Sequence, residues 1–185
     1  MRLLNFILII FLILTNGIKA DTETQVLKNL KNGGNLIFIR HAYAPGGGDP
    51  DNFDLNDCST QRNLSEAGRE QAKKIGKFFD ENQIPIDKVI SSEWCRCKET
   101  AEIAFKIFET KDFLNSFFSK KFYKNRIKQI KDLNEYINKW DSSKNLVLVT
   151  HYVLITEVLN YAPSSGEIVI SDIKLKKIGN IEIKY

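Results

Sequence analysis

The chain has 185 residues, with 27 lysines and arginines against 23 aspartates and glutamates, and a formal net charge of +4. That length suits one compact domain after any leader is set aside. A charge so near balance, with ordinary acidic content, gives no argument for nucleic acid as a partner.

The N-terminus opens with the positive start Met1-Arg2, then an apolar run from Leu3 to Leu14 interrupted only by Asn5. The polar, small segment Thr15-Asn16-Gly17-Ile18-Lys19-Ala20 follows. This is the layout of a secretory signal peptide with a cut after Ala20. The apolar run is shorter than the ~20 residues a spanning helix needs, so a retained membrane anchor is the lesser alternative. Residues 21–185 are then the working domain, with no membrane span expected in it. Loss of Arg2 and Lys19, one positive charge each, takes the net charge from +4 to +2. An exported protein, periplasmic or secreted, is the expectation.

Val26, Leu27 and Leu30 lie at helical spacing within residues 22–32, and Gly33-Gly34 suits the helix end. Leu36-Ile37-Phe38-Ile39 is a continuous apolar run that reads as a buried strand. Residues 41–63 are loop-like, with Pro45, three consecutive glycines and Asp49-Pro50-Asp51. So long a loop tends to be functional. It lacks the Gly-Lys-Ser/Thr of a nucleotide-binding loop and reads as the flexible rim of a site.

Ser65 is the predicted N-cap of a helix over 65–82, with Ala72, Ile75, Phe78 and Phe79 as its buried stripe. A strand is predicted over 84–90, a helix over 93–108, and an ambiguous apolar segment over 113–118. A helix is predicted over 122–140, and the basic stretch from Lys120 to Arg126 reads as a solvated amphipathic helix with Phe122 and Ile127 facing inward rather than as an RNA or anionic-surface patch. A second buried strand covers 145–150 and a helix 151–161. Terminal strands are expected at 167–170 and 173–184, with Gly179-Asn180 as a turn. Strands alternating with helices predict an α/β three-layer sandwich, a mostly parallel sheet with helices on both faces. Ligands of such sheets bind outside the carboxyl ends of the strands.

The chain has two histidines, and each directly follows a predicted buried strand. His41 ends Leu36-Ile37-Phe38-Ile39-Arg40, and His151 ends Leu146-Val147-Leu148-Val149-Thr150. A third strand runs into Ser91-Ser92 and on to Arg96. If these strands are neighbours, two imidazoles and the guanidiniums of Arg40 and Arg96 share one crevice. Guanidiniums offer paired donors to phosphate oxygens and keep their charge. An imidazole can attack phosphorus and carry the phosphoryl group.

Four ordered motifs resemble the histidine phosphatase (phosphoglycerate mutase-like) superfamily. They stand as Ile39-Arg40-His41-Ala42, Leu64-Ser65-Glu66-Ala67-Gly68-Arg69-Glu70-Gln71-Ala72, Ser91-Ser92-Glu93-Trp94-Cys95-Arg96-Cys97-Lys98-Glu99-Thr100-Ala101, and Val147-Leu148-Val149-Thr150-His151. The resemblance implies His41 as nucleophile and Arg40, Arg96 and His151 as ligands of the transferring phosphate. Arg62 is a candidate extra anion contact.

Departures from the family pattern are equally specific. Ala42 stands where glycine is usual, and Tyr152 follows the second histidine, so the His-Asp pair of the acid-phosphatase branch is absent. The region where the mutase-like branch often carries a glutamate proton donor offers Asn115 or Ser116 instead. Glu93 is the best spare carboxylate for that role.

Cys58 lies in the loop after His41, while Cys95 and Cys97 flank Arg96. In an oxidising compartment Cys58 is expected to pair with one of the two, tying the loop to the arginine helix. The Cys-x-Cys pair lacks a partner pair, so no metal site is expected, and no cofactor either. The expected function is hydrolysis of a small phosphorylated substrate through a phosphohistidine on His41, without a metal. The alternatives are a phosphatase of phosphohistidine or phosphoramidate bonds, a phosphotransferase, and a phosphate-binding module without turnover.

Overall fold

A computed structural model describes residues 24–141 and 143–185. The leader expected over residues 1–20 lies outside the described residues. A helix α1 includes residues 24–32, and strand β1 spans Leu36–Arg40. After the long loop come α2 (Glu66–Glu81), β2 (Ile86–Ser91), α3 (Cys95–Phe105) and the short β3 (Glu109–Thr110). The rest comprises α4 (Lys120–Tyr123), α5 (Arg126–Lys139), β4 (Asn145–Thr150), α6 (Tyr152–Leu159), β5 (Ile168–Ser171) and β6 (Lys177–Ile181).

The strands form one sheet in the order β3-β2-β4-β1-β5-β6. The first four are mutually parallel, and β5 and β6 add antiparallel at the other side. Alternation along β1 divides the core between the two faces. Ile37 and Ile39 pack with Val26 and Leu30 of α1, Ile75 and Phe79 of α2, and Ala101 of α3. Leu36 and Phe38 pack on the opposite face with Leu133 and Ile137 of α5 and Leu154 and Ile155 of α6. This is the three-layer α/β sandwich. Burial on both faces explains why β1 and β4 read as unbroken apolar runs rather than alternating ones.

The C-terminal expectation needs correcting. Gly179 and Asn180 do not form a turn; they lie within β6, opposite Ile170 and Val169 of β5. The reversal comes earlier, where the Asp172 carboxylate accepts the Lys174 and Lys176 amides and Leu175 takes a positive φ of 61°. Gly179 is small for a packing reason, because a Cβ there meets the side chain of Val26.

The helix expected over 122–140 is also divided, into α4 and α5, with Lys124 and Asn125 between them. Phe122 does pack inward, against Trp94 and Phe53, but Ile127 is 80% exposed. The buried stripe of α5 runs instead through Gln129, Leu133 and Ile137, at four-residue spacing. It starts on a polar residue because the Gln129 amide donates to the carbonyls of Asp112 and Asn115.

Candidate active site

The sheet order makes β2, β4 and β1 neighbours, so their carboxyl ends open on one crevice. Arg40 pairs with Thr150 at the last register position, and Ser91 pairs with Val149. Hydrogen bonding continues one residue beyond each strand. The His41 amide donates to the Thr150 carbonyl at 2.9 Å, and the Ser92 amide to the Val149 carbonyl at 2.9 Å. Backbone pairing therefore fixes His41 directly, and His151 directly follows the paired Thr150. Both rings are buried, 2% and 3% exposed, with centroids 5.5 Å apart.

The hydrogen bonds of His41 assign its tautomer. Nδ1 lies 2.8 Å from the Ala42 carbonyl, which only accepts, so Nδ1 carries the proton. Nε2 then presents its lone pair, and Arg96 Nε donates to it at 3.2 Å. Burial first, and then the Arg96 charge, hold the His41 pKa well below the ordinary histidine value, with Arg62 and Arg40 acting in the same direction. The Ala42 carbonyl opposes this without reversing it. The result is a neutral imidazole with its basic nitrogen inside a cationic pocket, a state able to attack phosphorus.

Three arginines surround this ring. Arg40 Nη1 donates to the Pro163 carbonyl at 2.8 Å, while its buried Nε has no hydrogen-bond partner among the described residues. Arg62 is half-buried and bonds the loop, giving Nε to the Gly48 carbonyl at 2.9 Å and Nη1 to the Ala44 carbonyl. Arg96 is almost wholly buried, and its two terminal nitrogens grip the Asp49 carboxylate, Nη1 to Oδ1 at 2.6 Å and Nη2 to Oδ2 at 3.2 Å. Asp49 also accepts from the Trp94 indole at 3.1 Å and the Arg62 amide at 3.1 Å. Burial raises the Asp49 pKa, but the bond and charge of Arg96, with the Trp94 and Arg62 donors, outweigh it and hold the carboxyl below its usual value.

Around His151 the bonding is different. Ser92 Oγ donates to Asn115 Oδ1 at 3.0 Å and lies 2.9 Å from His151 Nε2. With that hydroxyl proton given to Asn115, Nε2 is the protonated nitrogen, and Nδ1 faces Arg96 Nη2 at 3.5 Å. Asn115 also binds Glu93, accepting its amide and donating to its carboxylate at 2.6 Å. Glu93 is thus held at the start of the arginine helix and is absent from the lining of the cavity that contains His41. The structure does not bring it to the cavity beside His41 as the sequence reading expected. Cys97 is a free, buried thiol 3.5 Å from His151 Nε2, its pKa pushed up to about 12 mainly by burial.

The motif residues that touch no substrate space have positioning work. Ala42 is fully buried, and its amide donates to Thr100 Oγ1, which in turn donates to the Arg96 carbonyl. Gly68 is required because a Cβ there collides with the backbone of Tyr43. Ser65 caps α2 by accepting the Gly68 amide. Gln71 accepts the Tyr43 amide and donates to the Ser165 carbonyl at 2.7 Å, bracing the chain after His41.

A disulfide joins Cys58 to Cys95, with 5.7 Å between their Cα atoms, so Cys95 and not Cys97 is the partner. It closes a sequence separation of 37 residues, which in the chain-entropy picture is worth about 4 kcal/mol, and about 2–4 kcal/mol in typical practice. Cys58→Ser is expected to lower unfolding free energy by ~2–4 kcal/mol. Urea denaturation of the oxidised protein and the variant measures this, and equal midpoints contradict it.

A cavity of about 440 Å³ is lined by Arg40, His41, Arg62, Arg96 and His151 together with loop residues 46–51 and segment 118–122. A larger, open depression between α2, α3 and β2 contains neither histidine. Residues 36–114 match the family model described as histidine phosphatase superfamily, branch 1.

Over residues 36–114 the chain belongs to the histidine phosphatase superfamily.

The mitochondrial serine/threonine-protein phosphatase Pgam5 of Drosophila pseudoobscura pseudoobscura is 40% identical over 88 residues, 48% of this chain and 27% of that protein. The chain thus spans about a quarter of the length of the curated relatives it matches. Among solved structures, phosphoglycerate mutase from Thermus thermophilus aligns with a TM-score of 0.52 and 14% identity, over 81% of this chain and 99% of that one. The protein histidine phosphatase SixA complexed with tungstate aligns with a TM-score of 0.53 and 14% identity, over 77% and 92%. These two likenesses concern the fold.

Within this histidine phosphatase scaffold, the structure gathers Arg40, His41, Arg62, Arg96 and His151 into one cavity and leaves Glu93 outside it. Sequence reasoning missed Asp49. Its signal was an acid set between Gly48 and Pro50 in the loop nearest the first histidine, but the loop read only as a flexible rim.

The depressed histidine values have a thermodynamic consequence. In the unfolded chain His41 and His151 protonate below pH ~6.5, while the folded rings stay neutral to well below that. Stability is therefore at full strength above ~6.5 and falls as the pH drops below it, by about 1.4 kcal/mol per pH unit for each differential proton. Denaturation midpoints at about pH 7.5 and about pH 5.5, either side of that value, test the sign; a midpoint that rises on acidification refutes it.

Proposed function

We propose that the chain is a phosphomonoester hydrolase that works through a phosphohistidine on His41. One observation carries the reading: Nδ1 of a neutral, buried imidazole is committed to the Ala42 carbonyl, and Nε2 faces the arginine cluster. In this mechanism Nε2 attacks phosphorus in line with the departing oxygen. Arg40, Arg96 and His151 hold the equatorial oxygens, and Arg62 adds positive charge from the loop. Water then attacks the phosphohistidine and releases phosphate. The guanidiniums supply the charge stabilisation that a metal ion provides in other phosphoryl transfer enzymes, so the reading needs no metal.

The substrate is a small phosphorylated molecule, and the site of action an exported one. The leader-like N-terminus and the Cys58–Cys95 disulfide support export, since such bonds persist in oxidising compartments. A second reading, cleavage of phosphohistidine or phosphoramidate bonds, is favoured by one feature. The stretch where a glutamate acid is common offers Asn115 or Ser116, and Asn115 is spent on Ser92 and Glu93.

Rapid mixing with an aryl phosphate, an alkaline quench and mass mapping of the peptide containing His41 test the main reading. A phosphoryl group on that peptide, chased by excess unlabelled substrate, is the expected result. Tight phosphate binding with no turnover and no labelled peptide favours a binding module instead.

A further inference from the structure

The mechanism above leaves the departing oxygen without a proton, and an alkoxide is a poor leaving group unless it is protonated. Among the described residues, the carboxylates lining the His41 cavity are Asp49 and Asp51. Asp51 is exposed on the loop, whereas the Asp49 side chain is only 16% exposed. Asp49 and His41 are bonded to the same guanidinium: Arg96 gives Nε to His41 Nε2 and its two terminal nitrogens to Asp49. His41 is buried and directly follows the end of β1, whereas most of loop residues 46–51, which include Asp49, are exposed. In-line displacement sends the departing oxygen to the side of phosphorus away from His41, toward the more exposed wall of the cavity, which the loop carrying Asp49 lines.

Resting on the phosphohistidine reading of this site, we propose that Asp49 is the proton donor to the leaving group, armed by the arrival of the substrate phosphate. The paired donors of Arg96 that hold Asp49 are the geometry a phosphate dianion seeks. Phosphate and carboxylate cannot both keep that grip, and their like charges favour adding a proton to one of them. The phosphate, better matched and bound also by Arg40, takes the guanidinium. The carboxylate takes a proton, supplied by the phosphate monoanion on entry or by solvent. Gly46 and Gly48, at φ of 91° and 76°, with open space around Gly47 and Gly48, give the loop the freedom to swing it outward.

The steps balance. The Nε2–P bond forms as the P–O bond breaks, and the oxygen leaves with that electron pair and takes the proton of Asp49. In the second half the Asp49 carboxylate takes a proton from water as its oxygen attacks phosphorus. The N–P bond breaks with its electrons returning to Nε2, and phosphate departs with Asp49 again protonated.

The experiment compares Asp49→Asn with the unaltered protein on 4-nitrophenyl phosphate and on glycerol phosphate. A general acid matters where the leaving group is basic. We expect kcat/KM, which reports only the phosphorylation half-reaction and not the hydrolysis shared by both substrates, to fall by ~10²–10³-fold on glycerol phosphate and by less than about 10-fold on 4-nitrophenyl phosphate. Equal losses on both overturn the proposal in favour of a positioning role, and gains on both overturn it in favour of a plain occupant of Arg96. A series of aryl and alkyl phosphates on the unaltered protein gives a test independent of whether the variant folds. A shallow dependence of kcat/KM on leaving-group basicity supports an acid, and a steep one overturns it. If the unaltered protein forms no phosphohistidine from any of these, the underlying reading fails, and the proposal with it.

Discussion

His41→Ala is expected to lower turnover of an aryl phosphate by roughly 10⁴-fold or more while the protein stays folded. The size of the effect follows from the role: with no nucleophile there is no covalent intermediate, and what remains is an arginine-lined pocket that binds phosphate. The fold should tolerate the change because β1 is fixed by its pairing with β4 and β5, not by the imidazole. The variant loses one bond to the Ala42 carbonyl and one acceptor for Arg96. Steady-state kinetics with a thermal melt alongside measure both parts. A folded variant with undiminished turnover removes His41 from the chemistry altogether.

The second large effect is expected at Arg96. Arg96→Ala should reduce kcat/KM by ~10²–10³-fold, the usual scale for removing a donor aimed at developing charge. Arg96→Lys should recover little of it, because an ammonium cannot span Nε2 of His41 and both oxygens of Asp49 at once. Loss of Arg96 also strands a largely buried carboxylate, so stability should fall by ~3 kcal/mol or more. Removing that charge as well gives the discriminating measurement. In the double variant Arg96→Ala with Asp49→Asn, denaturant midpoints should recover much of the loss while activity does not. If stability and activity recover together, the guanidinium is needed only to neutralise Asp49.

Much of this arrangement was legible in the chain itself. The period of burial gave β1 and β4, since both faces of those strands are covered, and the histidine after each strand marked the crevice. Arg96 and its serine pair were legible because they sit one turn from a strand end. Two kinds of information were hidden. Which face a marginal helix buries depends on its neighbours: Ile127 looked like core, but the polar Gln129 is drawn in by the carbonyls of Asp112 and Asn115, to which its amide donates. The role of a carboxylate depends on what lies across space. Glu93, adjacent in sequence to the arginine helix, is taken up by Asn115, whereas Asp49, far away in the chain, reaches the guanidinium. The apparent turn at Gly179 failed for a similar reason, because the glycine answers to Val26, a residue at the other end of the domain.

The position of β1 in the sheet also governs the order in which the molecule can come together. Both of its neighbours, β4 and β5, are made from residues beyond 144. A chain emerging from its N-terminus therefore carries its first histidine strand unpaired until most of its length has been synthesised, and such long-range pairing slows folding. Cys58 and Cys95, by contrast, are both available early. The covalent clasp between the loop and the arginine helix can close on a chain whose central strand pair does not yet exist, so half of the pocket is tethered before the sheet that aims it.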